Sequence, residues 1–96
     1  KVISSLGIII NELVTNTLKY AFNGVANGEI TLTAFQQANR VTLKFEDNGP
    51  GLPATVNFTT SPGFGLQLIQ ILVEELDGTV KIERAPNPSF VITFPI

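Results

Sequence analysis

Four polar side chains recur along one edge of an otherwise apolar stretch near the start of the chain: Glu12, Asn16, Lys19 and Tyr20. Their spacing of i, i+4, i+7 and i+8 places all four on one face of an α-helix. A carboxylate, an amide, an ammonium and a phenol stacked in this way supply a metal-directed oxygen, a phosphate-directed cation and a flat ring. Those groups grip a nucleoside triphosphate with its magnesium. Every amphipathic helix has a polar face, so the stripe gains meaning only from two motifs later in the chain. Asp47-Asn48-Gly49-Pro50-Gly51 and Gly63-Phe64-Gly65-Leu66 are glycine-rich turns set at the ends of regular segments.

Each motif has its own chemistry. A carboxylate at Asp47, where a strand ends, can accept a hydrogen bond from an exocyclic amino group, the feature that separates adenine from guanine. Gly49 and Gly51 let the backbone turn tightly and come close to a ligand; a plain hairpin turn does not need two glycines around a proline. Gly63 and Gly65 open a helix, whose unpaired N–H groups and aligned peptide dipoles attract phosphate. On the stripe, Asn16 offers a neutral oxygen to Mg²⁺, which keeps waters and borrows further oxygens from phosphates. Lys19 is a compact point cation, Tyr20 borders a base or ribose, and Glu12 orients a metal-bound water or acts as a base.

The elements that must position these groups are read from periodicity. Leu6, Ile9, Ile10, Leu13, Thr17, Leu18 and Ala21 recur at helical spacing, predicting a helix over residues 4–22 with Ser4 or Ser5 as N-cap. Asn23-Gly24 and Asn27-Gly28 end it. Residues 29–35 alternate with Ile30, Leu32 and Ala34 on one side, and residues 41–46 with Val41, Leu43 and Phe45 inward, predicting a hairpin. Residues 52–62 read as a long loop of the kind that serves as a lid. A second helix over residues 65–77 buries Leu66, Ile69, Leu72, Val73 and Leu76 and stops at Gly78. Residues 79–84 and 89–95 form another hairpin, with Phe90, Ile92 and Phe94 buried. Helix, two strands, helix, two strands predicts an α/β two-layer sandwich with both helices on one face of the sheet.

Composition narrows the function classes. The 96 residues suffice for one domain over residues 1–96, and 44% hydrophobic content speaks for a packed core. A net charge of −2 offers no basic patch for nucleic acid. Without Cys or His, disulfides, zinc sites of the usual kinds and Ser-His-Asp triads are excluded from this chain. No apolar run approaches the roughly 20 residues that cross a bilayer, and Asn11 and Glu12 interrupt the stretch after Lys1-Val2-Ile3. The chain does not begin with Met, as expected of a piece of a longer protein.

These motifs form a familiar set. Asn11-Glu12-Leu13-Val14-Thr15-Asn16-Thr17-Leu18-Lys19-Tyr20 resembles the N box of the sensor histidine kinase ATP-binding domain. Asp47-Asn48-Gly49-Pro50-Gly51 is similar to its G1 box and Gly63-Phe64-Gly65-Leu66-Gln67-Leu68 to its G2 box. Phe90-Val91-Ile92-Thr93-Phe94-Pro95 resembles the last strand of the subgroup whose N box carries Asn-Glu-Leu. The wider group is the GHKL ATPases, which include gyrase, the Hsp90 chaperone, histidine kinases and MutL.

The resemblance implies a Bergerat-type sandwich with a mixed sheet that binds ATP and Mg²⁺. By position it makes Asn16 the magnesium ligand, Lys19 a phosphate contact and Tyr20 a nucleotide contact. It makes Asp47 the adenine-binding aspartate, Gly49, Gly51, Gly63 and Gly65 the hinge and phosphate-loop glycines, and Leu66 a further nucleotide contact. Glu12, Asn16 and Lys19 would be the catalytic set. The implied activity is a histidine protein kinase catalytic domain passing the γ-phosphate to a histidine of a separate dimerisation and phosphoacceptor domain. The response regulator would be reached only indirectly, on the cytoplasmic side, whether or not the parent is a membrane-bound sensor. Without that histidine-bearing domain the chain is expected to be inactive in autophosphorylation. Departures include a single aromatic, Phe58, in the lid segment, Glu12 where many histidine kinases carry Asn, and Pro88-Ser89 where Gly-Thr often precedes the final strand. The alternatives are a hydrolytic ATPase using Glu12 as base, a serine or partner-protein kinase of the same fold, and a nucleotide-responsive interaction module.

Overall fold

A computed structural model describes residues 2–18, 27–49, 66–84 and 88–96. Helix α1 spans Val2–Asn16 and α2 spans Leu66–Glu75. The strands are β1 (Ile30–Gln37), β2 (Arg40–Asp47), β3 (Thr79–Glu83) and β4 (Ser89–Pro95). The predicted order of elements is the observed one. α1 starts ahead of the expected N-cap, so Ser4 and Ser5 lie inside it and Ser5 is buried. After Asn16 the backbone widens into a π-type turn at Thr17 and Leu18. There Thr17 Oγ1 donates to the Leu13 carbonyl at 2.9 Å, a back-bond to i−4 that competes with the helical ladder and loosens it.

β1 and β2 pair from Ile30↔Asp47 to Gln37↔Arg40, leaving Ala38 and Asn39 as the turn. Ala38 sits at φ 55°, a left-handed conformation that residues with a Cβ seldom adopt. α2 then carries the chain across to β3, and β4 returns between β2 and β3. The sheet order is therefore β1-β2-β4-β3. β2 and β3 run parallel but are not neighbours; β4 fills the gap antiparallel to both. Among the described residues the sheet is thus wholly antiparallel, which corrects the mixed sheet implied by resemblance.

Both helices cover one face of this sheet. Phe45, Leu43 and Val41 of β2 lie opposite Phe90, Ile92 and Phe94 of β4, and Ile82 and Val80 of β3 flank the same row. Ile9 and Leu13 of α1, Leu66, Ile69 and Val73 of α2, and Leu76 just beyond it close over these side chains. Each such aliphatic or aromatic group contributes about 1.5–3 kcal/mol when fully buried. The alternation read in β2 and β4 is borne out. The helical stripe departs in one place: Leu18, expected on the core face, is 61% exposed. Ile30 and Leu32 share the helix-covered side of the sheet yet remain exposed on edge strand β1.

The end of α2 differs from the expectation. Asp77 N–H donates to the Glu74 carbonyl at 2.9 Å and Gly78 N–H to the Val73 carbonyl at 3.0 Å, the paired bonds of a Schellman motif. The left-handed residue is Asp77, at φ 58°, not Gly78. Gly78 is required for a different reason: a Cβ there would lie 2.5 Å from the Thr93 carbonyl oxygen and 2.9 Å from Phe94 Cβ. Glycine lets the helix exit press directly against central strand β4.

Candidate nucleotide site

Asp47 is the last residue of β2 and continues the inward series Val41, Leu43, Phe45, so its carboxylate points to the helix-covered side. Its main chain is held from both sides, opposite Ile30 in β1 and through its N–H to the Pro88 carbonyl at 3.1 Å. Oδ1 accepts the Gly49 N–H at 2.8 Å, a side-chain turn typical of Asp before glycine. The residue is only 8% exposed. Burial pushes its pKa above the ordinary carboxylate value; the Gly49 N–H pulls the other way and the neighbouring Glu46 charge adds to the rise. A carboxylate kept in poor solvent, with one oxygen tied to the backbone, is suited to accepting a directed hydrogen bond through its other oxygen.

Asn48 anchors the same turn to the segment that leads into β1. Its Oδ1 accepts the Glu29 N–H at 2.8 Å and its Nδ2 donates to the Asn27 carbonyl at 2.9 Å. Sequence reasoning did not single out this residue, although an Asn in an Asn-Gly turn commonly bonds nearby backbone. The carbonyl of Pro88 was missed for a plainer reason: nothing local ties it to Asp47.

On α1 the stripe resolves into two environments. Glu12 is half-buried, whereas Asn16, the final residue of the helix, is buried at 5% exposure. Leu66, fully buried in the core at the first position of α2, can meet a ligand only through its main chain. Lys19, Tyr20, Gly51, Gly63, Gly65 and the expected lid at 52–62 lie outside the described residues. Of the predicted site residues, the structure joins Asp47 to Gly49 directly.

Among the described residues no three His, Cys, Asp or Glu side chains gather as a metal cage. A magnesium ion that takes one protein oxygen and completes its shell with phosphates and water needs no such cage, and Asn16 fits that requirement. Among the described residues no helix is long and apolar enough to cross a membrane.

The sequence profile of the family described as histidine kinase-, DNA gyrase B-, and HSP90-like ATPases matches residues 1–96. The chain belongs to this family. Within it, the chain is 34% identical over 84 residues to the sensor histidine kinase PdtaS of Mycobacterium tuberculosis, covering 85% of this chain and 17% of that protein. It therefore spans about a sixth of the length of this relative. The fold is that of histidine kinase catalytic domains. The histidine kinase domain of the Erythrobacter litoralis EL346 blue-light-activated kinase superposes with a TM-score of 0.83 at 24% identity, covering 95% of this chain and 43% of that one. The catalytic domain of histidine kinase ThkA does so with a TM-score of 0.75 at 22% identity, covering 96% and 67%. Nucleotide binding is the property this ATPase family implies for the domain.

Proposed function

We propose that the domain binds Mg·ATP and passes the γ-phosphoryl group to a histidine on a separate dimerisation and phosphoacceptor domain of a parent sensor kinase in the cytoplasm. The observation that carries this reading is Asp47: a carboxylate at 8% exposure, at a strand end, with Oδ1 committed to Gly49. Its Oδ2 is directed to accept the adenine amino group. Asn16 would hold magnesium, which when bound neutralises charge on the β- and γ-phosphates. Lys19 and the N–H groups at the start of α2 would bind the remaining phosphate oxygens.

In the transfer, the bond between the γ-phosphorus and the β,γ-bridging oxygen breaks and a phosphorus–nitrogen bond to the incoming imidazole forms. ADP leaves, and the imidazole proton is lost to a base. The domain's part is positioning and charge neutralisation, which dominate phosphoryl transfer. The chain contains no histidine, so the acceptor and any response regulator downstream lie beyond it.

A second reading, hydrolysis with Glu12 as base, is favoured by one observation: Glu12 is half-buried one turn before Asn16 on the same face. Mixing the domain with ATP and a histidine-bearing acceptor domain separates the two. Acid-labile phosphate on the acceptor that persists in Glu12→Gln supports the kinase reading. Phosphate release that needs Glu12, with no phosphohistidine, overturns it. Asn16→Ala should abolish the magnesium dependence of ATP binding; retention of that dependence would remove Asn16 from the metal.

A further inference from the structure

The β1–β2 ladder stops at Ile30↔Asp47. Beyond it the Asn48 N–H reaches the Glu29 carbonyl at a long 3.2 Å, and the main chain cannot extend the ladder much further because Pro50 has no N–H. The Asn48 side chain takes over the role of the missing peptide. Its carbonyl oxygen receives the Glu29 N–H and its amide N–H binds the Asn27 carbonyl, so the ladder is completed sideways while the backbone leaves the sheet. The Gly49 N–H is thereby turned away from β1 and onto Asp47 Oδ1.

We infer that Asn48 is a positioning residue for adenine recognition, acting through Asp47: by stapling residues 27–29 to the turn, it fixes the Asp47–Gly49 bond and hence the direction of the carboxylate. The inference rests on the proposed adenine contact of Asp47. Both staple bonds lie at the surface. Water can replace them at small cost to folding, so an effect on ligand binding is separable from an effect on stability.

The test compares Mg·ATP with the triphosphate of purine riboside, which lacks the 6-amino group, in the wild-type chain and in Asn48→Ala, Asn48→Asp, Asp47→Ala and the Asp47→Ala/Asn48→Ala double variant. Asn48→Ala should weaken ATP about tenfold and the amine-free analogue less than about twofold, the scale of one well-directed hydrogen bond. Asn48→Asp keeps an oxygen for the Glu29 N–H and should lose only about threefold, half of that effect in free energy. In the Asp47→Ala background Asn48→Ala should change nothing further. ATP affinity within twofold of wild type in Asn48→Ala, an equal loss for both ligands, or an effect undiminished without Asp47 would each overturn the inference. If Asn48→Ala does not fold, Asn48→Asp decides: unchanged ATP affinity overturns, a selective loss for ATP supports. Should Asp47→Ala itself leave ATP binding intact, the adenine reading falls and this inference with it. A loss in Asp47→Ala with none in Asn48→Ala removes only the role of Asn48.

Discussion

Asp47→Asn should move affinity and stability in opposite directions. The asparagine keeps an Oδ1 to accept the Gly49 N–H, which lies 2.8 Å from the aspartate oxygen. That bond fixes the amide orientation, so the new NH₂ group takes the place of Oδ2 and meets the adenine amino group donor against donor. A hydrogen bond to a charged group contributes about 1.5–3 kcal/mol, so Kd for Mg·ATP should rise on the order of 10- to 150-fold. Without ligand the sign reverses. Burial raises the pKa of Asp47 above its ordinary 3.8, so the folded chain holds the proton more tightly than the unfolded one. Ionising Asp47 then destabilises the fold, by nothing well below pH 3.8 and fully above the folded-state pKa. Asp47→Asn should accordingly melt above wild type at pH 7, with the difference closing as pH falls toward 3.8. Melting curves from about pH 3 to 7, with and without a non-hydrolysable ATP analogue, read both effects. A variant that melts lower than wild type at pH 7, or binds ATP equally well, would refute the reasoning.

Two further substitutions probe the frame that holds the turn. Gly78→Ala places a Cβ 2.5 Å from the Thr93 carbonyl oxygen on central strand β4; overpacking of about 1–3 kcal/mol outweighs the entropic gain of about 0.4–1 kcal/mol. Its Tm should fall by roughly 5–15 °C while ATP affinity of the folded protein stays unchanged, and an unaltered Tm would contradict the close approach. Ser89 Oγ is buried and finds no hydrogen-bond partner among the described residues. Ser89→Ala should therefore be neutral or stabilise by up to about 1 kcal/mol in denaturant titration, and a loss of more than that would reveal a partner.

Much of the fold was legible because its signals are local. The alternation of Val41, Leu43 and Phe45 and of Phe90, Ile92 and Phe94, and the apolar positions of α2, state which side each element buries. The insertion of β4 between β2 and β3 was not legible, since hairpin patterns report pairing with a sequence neighbour and carry no information about the second partner. Gly78 was read only as the stop of α2; the left-handed position is Asp77, and the glycine answers to Thr93, 15 residues later. The site divides in the same way. Asp47 stood out because Asp-Asn-Gly is itself a turn. Asn48 did not, because its partners Asn27 and Glu29 lie about 20 residues earlier and only the folded sheet brings them within 3 Å.

Titration of the ¹⁵N-labelled chain with a non-hydrolysable adenine triphosphate and Mg²⁺ tests the central claim most directly. Saturable shifts of the Asp47, Asn48 and Gly49 amides, together with Asn16, that weaken when guanine replaces adenine are the predicted result. Amides at this turn that do not respond to millimolar ligand, or that respond equally to both bases, would contradict it.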